Sequence, residues 1–443
     1  MTLVEIMITM VISSIIAAST FMFFAGQQRI YETQTKVINI QQNLWAAMEV
    51  IARHTRASGS GMYGCVKPAS YADATAGNGT RKQSTFPSPG PLTQNLDTPP
   101  QTGIRAYDPS SGSTTQMRWI PPLWIVNNDA ATSPTDAALN VLAGTDVITV
   151  AFGNGTSGTD TDIQLGYLVT TDPTTPIPLL SAGTGSMFRL GEFVLLLRFV
   201  DPGSGWGYGE DPTVDRGCTL FQITSTPLDA ALPHQNGSSG SVWNPPLIVG
   251  ASMLQIDGTN GYAAGTAGVR NFGALTWISF FIQSSGANGI PNLMMQQRHL
   301  MDSDGKPQAP QILAEGIEDL QVSFACDTGS PSNPRNLAAL DGILNEGADN
   351  AAHTNDTARQ NDEWWNNVPN DPPMTGDGFC NMPTAVRITM VARSLAPDDL
   401  IDPTLGNGPL DIEDHRQPSP RPKDSFRRRV LSTTVYPRNN KPQ

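Results

Sequence analysis

An uncharged apolar stretch lies at the N-terminus of this chain. The sequence begins MTLVEIMITMVISSIIAASTFMFFAGQQR, and the 23 residues from Ile6 through Gln28 carry no charge. A helix of that length spans about 34 Å, enough to cross a hydrocarbon core of about 30 Å. A secretory signal peptide would have a basic region before a shorter apolar run and a small-residue cleavage site after it, and neither is present. We therefore expect residues 1–28 to form a membrane-spanning helix and the remainder of the chain to be soluble.

Glu5 is the one charged residue at the start of this stretch. An ionised side chain at the centre of a membrane helix costs on the order of 3 kcal/mol. The carboxylate therefore either has a positively charged partner or reaches the headgroups from the helix end.

The helix is expected to continue beyond the membrane. Apolar residues recur at spacings of three and four, which is the pattern of an amphipathic helix; they are Val37, Ile40, Leu44, Met48 and Ile51. The pattern predicts one helix of about 55 residues that ends at the Ser-Gly-Ser-Gly sequence from Ser58, with 29–58 as its amphipathic half. We expect its apolar face to pack on a sheet of the same chain rather than on a partner helix.

Residues 59–443, called the head below, read as short strands separated by Gly, Pro, Asn and Asp. We predict an α+β fold with an antiparallel sheet and long polar insertions near 70–113, 225–244, 328–377 and 396–423. This length allows either two lobes or one core with large loops. The predicted strands are Asp146 to Phe152, Ile163 to Thr170, Glu192 to Val200, Thr219 to Thr224, Trp277 to Ile282, Leu320 to Phe324, Ala385 to Arg393 and Arg429 to Tyr436.

The formal net charge of -13 argues against nucleic acid as a partner, because phosphate binding requires a concentrated basic surface. The one basic cluster, Arg421, Lys423 and residues 427–429, is expected to be a solvated strand edge. In the stretch EGIEDLQVSF, the alternation of Leu320, Val322 and Phe324 predicts a buried strand face. The acidic residues before that face are expected to lie in a solvated turn.

Four cysteines are widely separated, namely Cys65, Cys218, Cys326 and Cys380. An even number in a translocated chain predicts two disulfides, and four cysteines allow three connectivities. We favour Cys65 with Cys218 and Cys326 with Cys380. The cysteines lack the spacing of a metal site.

No catalytic or cofactor motif is recognisable, and we expect a protein that is not an enzyme. The histidines, at positions 54, 234, 299, 353 and 415, are scattered. Hydrolase and nucleotide-binding patterns are absent from the sequence. Calcium is a weak alternative at Asp302, at Asp160 with Asp162, or among Glu210, Asp211 and Asp215; a turn is the simpler interpretation at Asp302. Trp364 and Trp365, in a polar loop, either anchor that loop or face a partner.

The opening TLVEIMI, with Glu5 before an unbroken apolar helix, resembles the mature N-terminus of type IV pilins and type II secretion pseudopilins. That resemblance implies processing by prepilin peptidase and a numbering that starts after cleavage. It also implies N-methylation at Met1, which stands where most members have Phe. The span first anchors the subunit in the inner membrane and then joins the filament core. There Glu5 is expected to pair with the N-terminal amine of a neighbouring subunit.

A narrower resemblance rests on motifs in chain order: GC at Gly64, GEFVLLLRF at Gly191, CTLFQIT at Cys218, WISFFI at Trp277, AEGIEDLQVSF at Ala314, AVRITMVARS at Ala385 and RRVLSTTVYPRN at Arg428. Together they are similar to the PilW family of minor pilins, which is related to the J-type pseudopilins.

The PilW resemblance implies a structural minor pilin that primes pilus assembly at the filament tip. Whether the filament serves motility, adhesion or DNA uptake is left open by the sequence. The implied partners are other minor pilins, the major pilin and a PilY-type tip adhesin. The subunit would be in the inner membrane, with a periplasmic head, before assembly and at the extracellular tip afterwards. A J-type pseudopilin, a membrane-anchored adhesin or binding module outside any filament, and a major pilin are the alternatives.

Overall fold

The computed structural model describes residues 2–62, 104–107, 117–120, 122–126, 139–142, 144–155, 163–164, 176–198, 218–234, 243–244, 267–285, 289–301, 307–326, 364–365, 383–398, 401–402, 408–410, 412 and 423–437.

One helix, α1, runs from Leu3 to Ala57, a length of 55 residues. It ends at Ser58, after which Gly59 and Gly61 take φ angles of 76° and 77°. Only glycine adopts this left-handed conformation without a steric penalty, so the predicted end of the helix is confirmed. Backbone hydrogen bonds then join the helix end to a strand, since Gly59 N donates to Ala151 O at 2.9 Å.

Seventeen strands lie in the described ranges, and all belong to the head. They are β1 (Ile104–Tyr107), β2 (Met117–Ile120), β3 (Leu123–Val126), β4 (Val147–Gly153), β5 (Ile163–Gln164), β6 (Ile177–Pro178), β7 (Phe193–Arg198), β8 (Cys218–Gln222), β9 (Ala231–Leu232), β10 (Ala267–Gly273), β11 (Leu275–Ser285), β12 (Ile290–Gln297), β13 (Gln311–Glu315), β14 (Ile317–Cys326), β15 (Trp364–Trp365), β16 (Pro383–Arg393) and β17 (Arg428–Val435). A 3-10 turn at Thr184–Met187 precedes β7.

The described strands form three main sheets. A six-stranded sheet has the order β2-β1-β8-β7-β10-β5, a five-stranded sheet β13-β12-β11-β4-β3, and a four-stranded sheet β15-β14-β16-β17. A small pair, β6-β9, lies beside them. Adjacent strands are antiparallel except β1 and β8, which are parallel. The predicted α+β class is therefore confirmed, whereas the prediction of antiparallel pairing is wrong for the pair β1 and β8.

The largest core lies between α1 and two sheets. Ile51 of the helix is fully buried with Ile148 and Phe280 of the five-stranded sheet and with Leu320 and Ile388 of the four-stranded sheet. Burying one such aliphatic or aromatic side chain contributes about 1.5–3 kcal/mol. The packing predicted for the amphipathic half, on a sheet of its own chain, is confirmed.

The other face of the five-stranded sheet is covered as well. Trp124, Val147 and Phe281 form a cluster there, while the neighbouring Ile148 and Phe280 face α1. Burial on both faces explains why the run WISFFI is apolar apart from Ser279, whose hydroxyl is paired with Thr149, because a strand with one solvated face would alternate. A further core at Met62, Ile104 and Trp277 joins this sheet to the six-stranded sheet.

The predicted strands agree with the structure to within about three residues, apart from Ile163 to Thr170, of which only Ile163–Gln164 is described as a strand. Three predicted loops contain short strands instead: β1 in 70–113, β9 in 225–244 and β15 in 328–377. Each is held by pairing with a distant strand, a tertiary effect that local composition does not encode.

Candidate functional site along the N-terminal helix

The N-terminus of α1 carries a reciprocal cap. Thr2 N donates to Glu5 Oε2 at 2.8 Å, and Glu5 N donates to Thr2 Oγ1 at 3.4 Å. This capping box satisfies two backbone donors that the first turn of a helix leaves unpaired. It also fixes the Glu5 carboxylate at the very end of the helix. A carboxylate has about four acceptor positions, so the same group can accept from a second donor. Met1 lies outside the described residues.

The first half of α1 is apolar and exposed. Its most apolar 18-residue segment has none of its residues buried, and α1 is the one helix in the described ranges that is long and apolar enough to cross a membrane. Its hydroxyls are bonded within the helix; for example, Thr9 Oγ1 donates to Glu5 O at 2.7 Å and Ser13 Oγ to Thr9 O at 2.7 Å. Such internal bonds remove polar groups from a lipid or protein surround. This half is suited to membrane anchoring.

The second half of α1 is fixed to the head by apolar and polar contacts. Ile40, Leu44, Met48 and Ile51 are buried in the core, whereas Val37 is half-buried. At the edge of the contact, Lys36 Nζ donates to a head carbonyl, Pro397 O, at 3.3 Å. The two halves of the helix thus differ, since the first half is exposed and the second half packs against the sheets.

A small open cleft separates α1 from the adjoining edge of the head. Its volume is about 150 Å³, and its charged lining side chains are Lys36, Glu315 and Arg393. Asn43 Nδ2 crosses it to Glu315 O at 3.5 Å.

A buried ion cluster lies at the start of β17. Arg428 donates from Nε to Glu318 Oε1 at 2.5 Å and from Nη2 to Asp424 Oδ2 at 2.5 Å. Burial raises the pKa of Glu318, which the hydrogen bond from Arg428 partly offsets. For Asp424, burial acts to raise the pKa, but the hydrogen bonds from Arg428 and from Phe426 N, together with the charge of Arg428, outweigh it and the pKa is lowered. An arginine fork is well matched to two carboxylates.

This cluster corrects two sequence predictions. The side chain of Arg428 is 4 % exposed, so the basic cluster is not uniformly a solvated strand edge. Asp319 is also buried and the side chain of Glu318 is only 10 % exposed, so these two acids do not lie in a solvated turn, whereas Glu315 is exposed beside the bend at Gly316, as predicted. The reason is that β14 already begins at Ile317, which brings both acids into the sheet. The buried face predicted for Leu320 and Val322 is confirmed, and the Phe324 side chain lies outside the described residues.

The predicted disulfides fall largely outside the described residues. Cys65 and Cys380 are not described, and for Cys218 and Cys326 only the backbone is. In the sheets, Cys218 pairs in parallel with Ile104 and Cys326 lies opposite Pro383. The connectivity stays a prediction.

The tryptophan pair belongs to β15, whose backbone pairs with Phe324 and Ala325 at the edge of the four-stranded sheet. Its side chains lie outside the described residues, so a partner contact through Trp364 and Trp365 stays a prediction. The calcium candidates lie outside them too, namely Asp160, Asp162, Glu210, Asp211, Asp215 and Asp302. In the described ranges no group of three or more His, Cys, Asp or Glu side chains is placed to hold a metal ion.

The described histidines do not converge. His54 Nδ1 lies 2.8 Å from Val50 O, within α1. His234 is buried in the six-stranded sheet region, next to Phe221. His299 Nδ1 lies 3.2 Å from Trp277 N, and burial lowers the pKa of this imidazole. His353 and His415 lie outside the described residues.

In the described part of the chain, the exposed apolar half of α1 suits membrane anchoring, and its second half packs on a β-rich head. A family model described as "Type IV Pilus-assembly protein W" matches residues 279–439 of the chain. The matched segment runs from β11 to β17 and includes most of the sheet surface on which α1 packs. The chain is thus similar, through this segment, to a family of type IV pilus assembly. No curated protein and no solved structure matches it.

Proposed function

We propose that this protein is a minor pilin that primes assembly of a type IV pilus and stays in the complex at the filament tip. The observation that carries the proposal is the division of α1 into an uncovered apolar half and a half buried in the head. A subunit that moves from a membrane into a filament core needs such a helix, because lipid and neighbouring helices are both apolar surroundings. The match to a pilus-assembly family supports the same system.

Glu5 is the residue that we assign to register in the filament. A carboxylate among apolar helices is costly alone and acceptable when it is paired, so pairing rewards one axial position. The capping box holds Glu5 at the start of α1, where the N-terminal amine of an adjacent processed subunit is the natural cation.

The size of the head favours the tip. Helices in a pilus shaft are expected to pack with small axial offsets, so a head of 385 residues at every step would be crowded. At the end of the filament the crowding is relieved on one side. There the head can contact other minor pilins, the major pilin and a PilY-type tip adhesin, while the insertions near 70–113 and 328–377 are candidates for the outward surface.

The test of this function compares three full-length chains in the native host: wild type, Glu5→Ala and Glu5→Gln. Glutamine keeps an oxygen that can accept from Thr2 N but removes the charge, so it separates capping from charge pairing. We expect all three chains in the inner membrane and at least a tenfold loss of both variants from sheared pili. Equal incorporation of all three would remove the assembly role of Glu5, and loss of the alanine variant alone would assign Glu5 to capping.

Immunogold labelling of the sheared filaments tests the position. Label at filament ends supports the tip, and label along the shaft indicates a major pilin. Absence from filaments, with the chain still in the membrane, indicates a membrane-anchored adhesin or binding module. Dependence on type II secretion genes instead of pilus genes would indicate the J-type pseudopilin.

A further inference from the structure

The cleft between α1 and the head is lined by two cations and one carboxylate. Lys36 comes from the helix, whereas Arg393 and Glu315 come from the ends of β16 and β13. Within the described ranges, Lys36 Nζ is hydrogen-bonded to the carbonyl of Pro397, and Arg393 Nη2 donates to Gly289 O at 2.6 Å. Neither cation forms an ion pair with a described carboxylate. Both positive charges are therefore available to an anionic ligand.

The acids closest to Arg393 are already bonded to another residue. The charge of Arg393 stabilises the ionised forms of Glu318 and Asp424. Both carboxylates, however, accept hydrogen bonds from Arg428. Glu315 is exposed and is the one carboxylate among the residues that line the cleft. The cleft thus has an excess of positive charge, in a chain whose formal net charge is -13.

The guanidinium of Arg393 is held in position from two sides. Its carbon lies 4.5 Å from the ring centre of Phe426, and Nη2 is bonded to Gly289 O. An arginine has five N–H donors, so most of them remain after the bond to Gly289. A planar guanidinium fixed in this way binds phosphate oxygens with less loss of side-chain entropy than a mobile one, and a nearby lysine adds a second charge.

The cleft lies at the end of the head that is nearest the membrane. Lys36 is the most N-terminal residue of α1 that is hydrogen-bonded to the described part of the head. It is eight residues beyond Gln28, which is about 12 Å along the helix. The polar layer on one side of a bilayer is about 5–8 Å thick, so a gap of about 4–7 Å remains. A helical lysine points toward the helix N-terminus, and its four-carbon stem can cross that gap.

We propose that this cleft binds the phosphate of an anionic lipid headgroup while α1 crosses the membrane, with Lys36 and Arg393 as its two cationic contacts. The inference goes beyond the proposed function, because it requires that α1 cross a bilayer and not that the chain join a filament. It gives the head a defined contact with the membrane surface.

Native mass spectrometry of the full-length chain, released from nanodiscs, tests the lipid preference. The nanodiscs contain equal amounts of phosphatidylglycerol, which is anionic, and phosphatidylcholine, which has no net charge. A basic side chain near an anionic surface strengthens binding about fivefold, so Lys36→Gln should lower the ratio of bound phosphatidylglycerol to phosphatidylcholine by about that factor. Glutamine can still donate to Pro397 O. Arg29 lies closer to the membrane and contributes equally in every variant.

Two further variants control for charge alone. Arg53→Gln makes the same change of charge at an exposed position of α1 that is 17 residues beyond Lys36, about 26 Å further from the membrane. It should keep the wild-type ratio. Glu315→Gln removes the carboxylate from the cleft and should raise the ratio. Equal ratios for Lys36→Gln and Arg53→Gln, or no increase for Glu315→Gln, would overturn the proposal.

Photocrosslinking in the same nanodiscs tests the position. Benzoylphenylalanine replaces Ala396, which is exposed and lines the cleft, or Ala46, which is exposed on α1 ten residues beyond Lys36. We expect phosphatidylglycerol adducts from position 396, at least fivefold more abundant than from position 46 and unchanged when inorganic phosphate is added. Absence of these adducts would overturn the proposal. Their loss on addition of phosphate would show that the cleft takes free phosphate and would overturn the assignment to lipid.

These experiments separate the inference from the proposed function, because both use the purified chain in a bilayer and no filament. If the chain is absent from pili, the proposed function fails and the lipid contact is unaffected. If the variants do not differ in bound lipid, only the lipid contact is wrong.

Discussion

Arg428 in β17 and Glu318 in β14 form an ion pair, with 2.5 Å between Nε and Oε1 and side-chain exposures of 4 % and 10 %. The two residues are 110 positions apart in sequence, and Asp424 shares the same guanidinium. Removing one of these charged residues should therefore destabilise the fold, because a remaining charge without its partner is costly in a low-dielectric site.

Arg428→Met should lower the free energy of unfolding by about 3 kcal/mol, since Glu318 then keeps its burial but loses its donor. The measurement is urea unfolding of the full-length chain in mild detergent, followed by tryptophan fluorescence. Arg429→Met is the matched control, because Arg429 is exposed, and it should cost less than about 0.5 kcal/mol. Adding Glu318→Gln to Arg428→Met should recover part of the loss. Equal stability of the two single variants would contradict a structural role for the pair.

His299 should make stability dependent on pH. Burial lowers the pKa of its imidazole from the ordinary 6.5, and a hydrogen bond from Nδ1–H to Trp277 O, 3.1 Å away, only partly opposes this. At a pH between the pKa of His299 in the folded chain and that in the unfolded chain, the unfolded chain binds more protons. The contribution of His299 to stability is therefore complete above about pH 6.5 and decreases as the pH falls below that value.

The check is a comparison of wild type with His299→Asn at pH 7.5 and pH 5.5. Asparagine keeps a donor near the position of Nδ1, which can bond to Trp277 O, but it does not titrate. The wild type should lose more stability on acidification than the variant. Parallel losses in both chains would show that His299 does not contribute.

The fold could be predicted from sequence where the pattern is local. The helix boundary followed from its glycines, and strands such as β4, with the sequence VITVAFG, followed from β-branched residues. Strand β12, IPNLMMQQ, contains a proline and two methionines in place of such residues, and it is held by pairing on both sides with β11 and β13. The parallel pairing of β1 with β8 likewise depends on a contact between segments more than 100 residues apart.

The residues of the candidate site also fall into those that the local sequence predicts and those that depend on distant contacts. The apolar span and the position of Glu5 could be read directly, because both depend on residues next to each other in sequence. The role of Arg428 could not, since the arginine run gives no sign of which member meets Glu318.

The disulfide prediction can be sharpened by the register of the sheets. Cys326 lies opposite Pro383, and Cys380 is three residues before that proline, a reach of at most about 11 Å. Cys65 is three residues after Met62, which packs in one cluster with Ile104, the backbone partner of Cys218. Peptide mapping of the oxidised chain should therefore yield the pairs Cys65–Cys218 and Cys326–Cys380. Peptides that join Cys65 to Cys326 or Cys380 would contradict it.

Gly316 lies at the bend where the chain passes from β13 in the five-stranded sheet to β14 in the four-stranded sheet. Its φ angle is 77°, and a Cβ added there would lie 2.8 Å from Arg393 O. Both the backbone conformation and the contact therefore oppose an L side chain. The close approach itself is needed, because Arg393 N donates to Gly316 O at 2.8 Å and so joins β16 to the bend.

Gly316→Ala should lower the free energy of unfolding by about 2–3 kcal/mol, of which about 1 kcal/mol is the left-handed conformation and the rest is displacement of Arg393 O. Gly191→Ala separates the two contributions, because Gly191 has a φ angle of 86° but a Cβ there meets nothing within 4 Å. It should cost only the conformational part. Since the bend joins both sheets that support α1, unfolding of Gly316→Ala should remain a single transition at lower urea. If the two alanine variants were equally stable, the contact with Arg393 O would not be limiting at this bend.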